Sequence, residues 1–136
     1  MGNNNIECNS PEDRDENPWN MALPLLNSAD HRMRNQGVKV LIDRLSSKSG
    51  SQLLEMDEQS YREGFELLLE RADDKNYTVR MFAVTTLAVV LEATEGREQY
   101  DDIYQKALTE IVKASGDESP WVYNHAKDII REIRLI

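Results

Sequence analysis

From Pro18 onward, apolar residues recur every three to four positions in five or six runs separated by polar clusters. Tyr61, Phe65, Leu68, Leu69 and Ala72 fall at i, i+4, i+7, i+8 and i+11, which is one face of a helix. Ile103, Ala107, Leu108, Ile111 and Val112 repeat the pattern. Helix starts are predicted at Asp30, Asp57 and Ser119, where a capping side chain precedes an amphipathic run, and Pro120 suits the first helical position. Breaks are predicted at residues 46–51, 73–76, 95–96 and 115–117, all rich in Ser, Asp, Asn, Glu or Gly. Because no run alternates with period two, the expected fold class is all-α.

Self-comparison adds an internal repeat. The middle copy reads Asp74, Val79-Arg80, Ala83, Leu87, Leu91; the last reads Asp117, Val122-Tyr123, Ala126, Ile130, closed by Ile133; the first reads Met33-Arg34, Gly37, Leu41, Leu45. Arg34, Arg80 and Tyr123 are spaced by 46 and 43 residues. Val79, Ala83, Thr86, Leu87 and Val90 point the same way at about 100° per residue, and the small residues Gly37, Ala83 and Ala126 allow two helices of a pair to approach closely. One pair cannot bury such a face alone, whereas three stacked pairs make a continuous core.

An Asp in the turn, then a Val-Arg pair and a small residue in the second helix, resembles the HEAT-repeat (armadillo-like) family over about residues 18–136. Two departures stand out: Tyr123 replaces the family's Arg, and Ser28 holds the expected Asp position of the first copy while Asp30 lies too close to Arg34. The resemblance implies an α-α superhelix, a solenoid of three helix pairs, with Asp74 and Asp117 pairing with Arg34 and Arg80 between neighbouring units. It also implies a concave groove lined by the second helices, at Asn35, Val38, Lys39 and Ile42 in the first copy, Met81, Val84, Thr85 and Ala88 in the middle, and Asn124, Lys127, Asp128 and Arg131 in the last. Apolar side chains at i, i+3 and i+7 suit a partner helix, and Asn35 and Asn124 suit the main chain of an extended peptide. Met81 and Val84 have an equally good reading as core, since a helix flanked on both sides is apolar all round.

Composition narrows the function. With 40% hydrophobic and 30% charged residues the chain is of globular type. The net charge of −9 opposes nucleic acid and anionic membrane surfaces as partners. Residues 1–17 hold almost no large apolar side chains and are read as a disordered acidic tail ahead of a single domain at 18–136. Glu7, Glu12, Asp13, Asp15 and Glu16 against Arg14 put part of the charge there, leaving about −5 for the rest. Ser10-Pro11-Glu12-Asp13 has a kinase-acceptor composition but reads first as solvated tail. Met1-Gly2-Asn3-Asn4-Asn5-Ile6 lacks the Ser or Thr that N-myristoylation wants. Absence of a signal core, of any apolar run near about 18 residues, and of a second cysteine beside Cys8 makes cytosol or nucleus the expected compartment.

No nucleophile, base and orienting group are legible together, and His31 and His125 occupy inequivalent positions, so neither catalysis nor a metal or cofactor is expected. Asp57-Glu58, Asp73-Asp74 and Asp101-Asp102 lie near helix starts or turns, where negative charge suits the helix dipole. Trp19 is expected to cap the first unit and Trp121 to wedge the last turn. Leu135-Ile136 either fold back onto the C-terminal helix or offer it for self-association, the former preferred. The expected function is a protein-binding adaptor, scaffold or chaperone cofactor holding a helical or extended peptide, with acidic character opposite Lys127 and Arg131. The rivals are an enzyme or nucleic-acid protein on a HEAT-like scaffold, glycosylase-like or lyase-like, and a plain helical bundle with an accidental repeat.

Overall fold

The computed structural model describes residues 17–46 and 56–134. Among these there are six helices and no strand: α1 (Ala22–Leu26), α2 (His31–Leu45), α3 (Glu58–Ala72), α4 (Tyr77–Thr94), a 3-10 turn (Glu98–Tyr100), α5 (Asp101–Ala114) and α6 (Pro120–Arg134). The tail with its kinase-acceptor site and Cys8, most of the break at 46–51, and Leu135-Ile136 lie outside the described residues. Asn17, which the sequence reading put in the tail, instead accepts a hydrogen bond from Trp19 N–H at 2.9 Å and starts the first turn. The starts follow their caps. Asp30 accepts from Arg32 N–H, Asp57 from Ser60 N–H, and Asn76 from Thr78 and Val79 N–H, each satisfying a first-turn donor. Past the end of α4, Gly96 takes a left-handed φ of 78°, which a side chain resists.

Helix α4 is the centre: α2, α3, α5 and α6 all pack on it, with α1 against α2, α3 against α2 and α5, and α5 against α6. Val79, Ala83, Val84, Leu87 and Val90 of α4 meet Val38, Leu41 and Leu45 of α2, Tyr61, Phe65 and Leu68 of α3, Ile103, Ala107 and Ile111 of α5, and Val122 and Ala126 of α6 in one buried cluster. Burial on several sides accounts for the apolarity of α4, which at 18 residues and mean hydropathy 1.2 is long and apolar enough to cross a membrane. That overturns the sequence reading that no run approaches this length. The outer stripes are narrower than the spacing suggests: Leu69, Ala72 and Leu108 are half-buried and Val112 is exposed, one step of about 100° beyond Ile111.

Close approach depends on two glycines. A Cβ on Gly37 would stand 2.7 Å from Leu26 Cδ2, so α1 seats directly on the α2 backbone. Gly64 lies beneath the Trp19 ring, and the indole N–H donates to Ser60 O at 2.7 Å. Trp19, expected as a cap on the first unit, is instead buried against α3. Trp121 does not wedge a turn; it is 67% exposed, because it sits in the first turn of α6 on the side away from α4 and α5.

Two ion pairs tie the first turns of α2 and α4 to the turns ahead of α4 and α6, between the residues expected to pair. Arg34 Nε and Nη2 donate to Asp74 Oδ2 and Oδ1 at 2.8 and 3.0 Å, and Arg80 Nε and Nη2 donate to Asp117 Oδ2 and Oδ1 at 2.9 and 3.0 Å. The third nitrogen of each fork binds its own turn: Arg34 Nη1 donates to Ser28 O, and Arg80 Nη1 donates to Asp74 O. Ser28, Asp74 and Asp117 each accept from the backbone N–H two residues on, so the three turns share one hydrogen-bond pattern. The sequence departures fall at the two ends of this series. Ser28 forms its turn with an uncharged side chain, and Tyr123 holds the position that Arg34 and Arg80 hold in the other two copies.

Burial opposes ionisation of Asp74, but Arg34, the Asn76 N–H and Arg71 outweigh it and hold the carboxyl below its usual range; Arg80 and the Ser119 N–H do the same for Asp117. A depressed native pKa gives stability that is present above the unfolded-state value near about 4 and lost as pH falls through the native one. Thermal melts from neutral pH down through that window should therefore show a falling midpoint. Asp74→Asn should lose about 3–5 kcal/mol at neutral pH and much of the acid sensitivity, and Asp117→Asn should lose less, its pair being more exposed. Gly64→Ala supplies a second check. The better helix propensity of Ala, about 1 kcal/mol, is outweighed by the overlap with Trp19, so stability should fall and tryptophan emission shift to the red as the buried indole is displaced.

Candidate functional site

The twelve residues expected on a concave face divide sharply. Val84 is 1% exposed and belongs to the core, as does Val38 beside the first-copy positions; the alternative reading of a flanked central helix is the one realised. Met81 is half-buried against the same core. Lys39 and Asn124 are exposed, and Ile42 and Asn35 are half-buried, the Asn35 Oδ1 being a buried acceptor with no partner among the described residues. Lys127 lies over the Tyr123 ring, 5.0 Å from its centroid, and Arg131 pairs with Asp128 at 2.8 Å. These two cations are thus engaged within α6. Only Thr85 and Ala88 come together at a cavity.

That cavity, about 520 Å³, lies between α4 and α6. Thr85, Ala88, Val89, Leu91 and Glu92 line it from α4 with Glu95 just past its end, His125, Ile129, Glu132 and Ile133 from α6, and Tyr104 reaches it from α5. The α6 wall is a stripe at i, i+4, i+7 and i+8, and the α4 wall runs over ten residues, or roughly 15 Å of helix. The trough stays open because its α4 side carries a methyl at Ala88, where a longer side chain would close it. Its near end is tied by a 2.7 Å contact between His125 Nε2 and Thr85 Oγ1. Thr85 Oγ1 is also 3.2 Å from Met81 O; when the hydroxyl hydrogen goes there, the His125 N–H donates to Thr85.

The walls are chemically divided. Ala88, Val89, Ile129 and Ile133 form apolar ground, while Glu92, Glu95 and Glu132 are exposed and sit in no ion pair among the described residues. Two further cavities, of about 570 and 370 Å³, flank the turns that hold Asp74 and Asp117. Their charged groups are largely occupied: Arg34, Arg71 and Arg80 bind the two aspartates, and Lys113 pairs with Asp73 at 3.3 Å. Among the described residues no group of three His, Cys, Asp or Glu side chains is placed to hold a metal ion.

The cavity lies between two of the helices expected to line a groove, but of the expected residues only Thr85 and Ala88 line it. Ile129, Ile133 and His125 carried a signal, the i, i+4, i+8 spacing, but two of the three are of residue types that the same spacing assigns to core. Glu92, Glu95 and Glu132 carried none, since an exposed glutamate on a helix is ordinary.

The revised geometry has a direct check. Val84→Asp buries a charge without a partner, costing several kcal/mol of a total near about 5–15, and should leave the chain largely unfolded in circular-dichroism melts. Ala88→Asp opens into the cavity and should cost about 1 kcal/mol or less. Equal destabilisation by the two would contradict this placement of core and groove.

Comparison of the chain with protein-family models, with curated proteins and with solved structures gave no match, so its function has to be argued from this geometry.

Proposed function

We propose that the chain is a protein-binding module, an adaptor or scaffold built as a three-unit HEAT-like α-solenoid, and that it holds a helical or extended peptide in the groove between α4 and α6. Support for the solenoid comes from the shared hydrogen-bond pattern of the turns at Ser28, Asp74 and Asp117, from the two arginine–aspartate pins, and from the contacts of α4 with both α2 and α6. The observation that carries the binding role is the open cavity of about 520 Å³ with apolar side chains at helical spacing on both walls. Exposed apolar ground inside a concave surface is costly in water and gains by being covered. Roughly 15 Å of wall accommodates nearly three turns of a helix, enough for apolar anchors at i, i+4 and i+7.

Ala88→Phe is the decisive variant, because it fills the trough from within while leaving the buried cluster and both pins untouched. Peptides selected from a random display library on the folded chain should bind Ala88→Phe at least about tenfold more weakly, a loss of about 1.4 kcal/mol, with its melting midpoint nearly unchanged. Selected peptides that bind wild type and variant alike, or a library that yields none, would remove the groove from consideration.

A further inference from the structure

Resting on that reading, we infer that the occupant of the α4–α6 groove is a cationic amphipathic peptide: a stripe of apolar side chains flanked on both sides by Lys or Arg. Charge complementarity on a shaped surface points to it. Glu92 and Glu95 stand on the α4 wall and Glu132 on the α6 wall, so both sides of an apolar trough carry carboxylates. His125, the basic member of the lining, is taken up by Thr85 at the near end. Three nearby cations whose side chains are described make contacts away from the trough: Lys127 over Tyr123, Arg131 with Asp128, and Arg97, whose Nε donates to Ala93 O at 3.0 Å.

An occupant with acidic flanks would set like charges against three carboxylates beside low-dielectric apolar walls, where such contacts are strengthened. Lysine or arginine flanks instead pair with them, and the long stems of these side chains cover the rim of the trough while their heads stay in water. The net charge of −9 adds a long-range field that speeds approach of a basic segment. This reverses the polarity expected from the sequence, which pointed to acidic character opposite Lys127 and Arg131. Neither of those side chains lines the cavity.

The test uses the full chain and two synthetic labelled helices of about 18 residues with the same leucine stripe, one with lysine flanks and one with glutamate flanks, in fluorescence anisotropy. The lysine peptide should bind at least about tenfold tighter than the glutamate peptide at about 50 mM salt, and the preference should shrink at about 500 mM. The triple variant Glu92→Gln, Glu95→Gln, Glu132→Gln should keep its melting midpoint and lose that preference, while Ala88→Phe should lose both peptides. If both peptides bind equally and Ala88→Phe abolishes both, the charge inference is overturned and the groove reading stands. The charge inference falls in the same way if neither peptide binds although library peptides occupy the groove. Lysine-peptide binding that survives Ala88→Phe is adsorption to an acidic surface and overturns both. Self-association of the chain that disappears in Ala88→Phe makes a second copy the occupant and overturns the inference.

Discussion

Four helices depend on the carboxylate of Asp74. Its side chain accepts from Arg34 of α2, from Arg71 of α3 and from the Asn76 N–H that caps α4, while Arg71 also donates to Leu26 O at the end of α1. Both members of its principal pair are almost completely shielded, with side-chain exposures of 6% for Arg34 and 2% for Asp74. Stripping water from two such charges is expensive, and the arrangement is tolerable because each oxygen accepts two hydrogen bonds and each fork of the Arg34 guanidinium has a partner. A loosened or shifted register would leave a desolvated charge unpaired. What the pair contributes is therefore chiefly definition: it admits one alignment of α2 on the turn ahead of α4.

Repetition follows from the same logic. Arg80 serves two turns at once, donating to Asp74 O in its own and to the Asp117 side chain in the next, so the position of α6 is referred to α4 as that of α4 is referred to α2. Hydrophobic packing supplies most of the driving force but is tolerant of rotation and sliding, whereas the bidentate pairs are not.

These features set how much could be read from the chain. Residues that recur at fixed offset, Arg34 and Arg80 or Asp74 and Asp117, were legible because the repeat imposes the same turn on each copy. The caps at Asp30 and Asp57 were legible for a local reason, since a side chain bonding its own first turn needs no tertiary information. Positions decided by neighbours were not. Val84 and Ala88 are both small apolar residues of one helix, four apart, yet one is core and the other lines the cavity; nothing in the string records that the packing covers the first and leaves the second at an opening. Trp121 was misplaced similarly, because burial of its ring needed a surface that α6, with no helix following it in the described residues, does not meet.

The groove itself follows from where the pins are. Arg80 and Asp117 tie α4 and α6 together near their starts, and the Thr85–His125 contact closes the space one to two turns further on. Beyond that contact, among the described residues, no ion pair or side-chain hydrogen bond joins the two helices, and their separation is set by the side chains between them. With a methyl at Ala88 facing Ile129 and Ile133, those side chains are too small to fill the space. Filling it would add apolar contact along both walls. The retained opening is bordered on each side by glutamates that strengthen neither helix through an ion pair among the described residues. Rigid near the pins and unfilled beyond them, α4 and α6 combine a fixed frame with an uncovered apolar floor, which are the two properties that a preorganised peptide site requires.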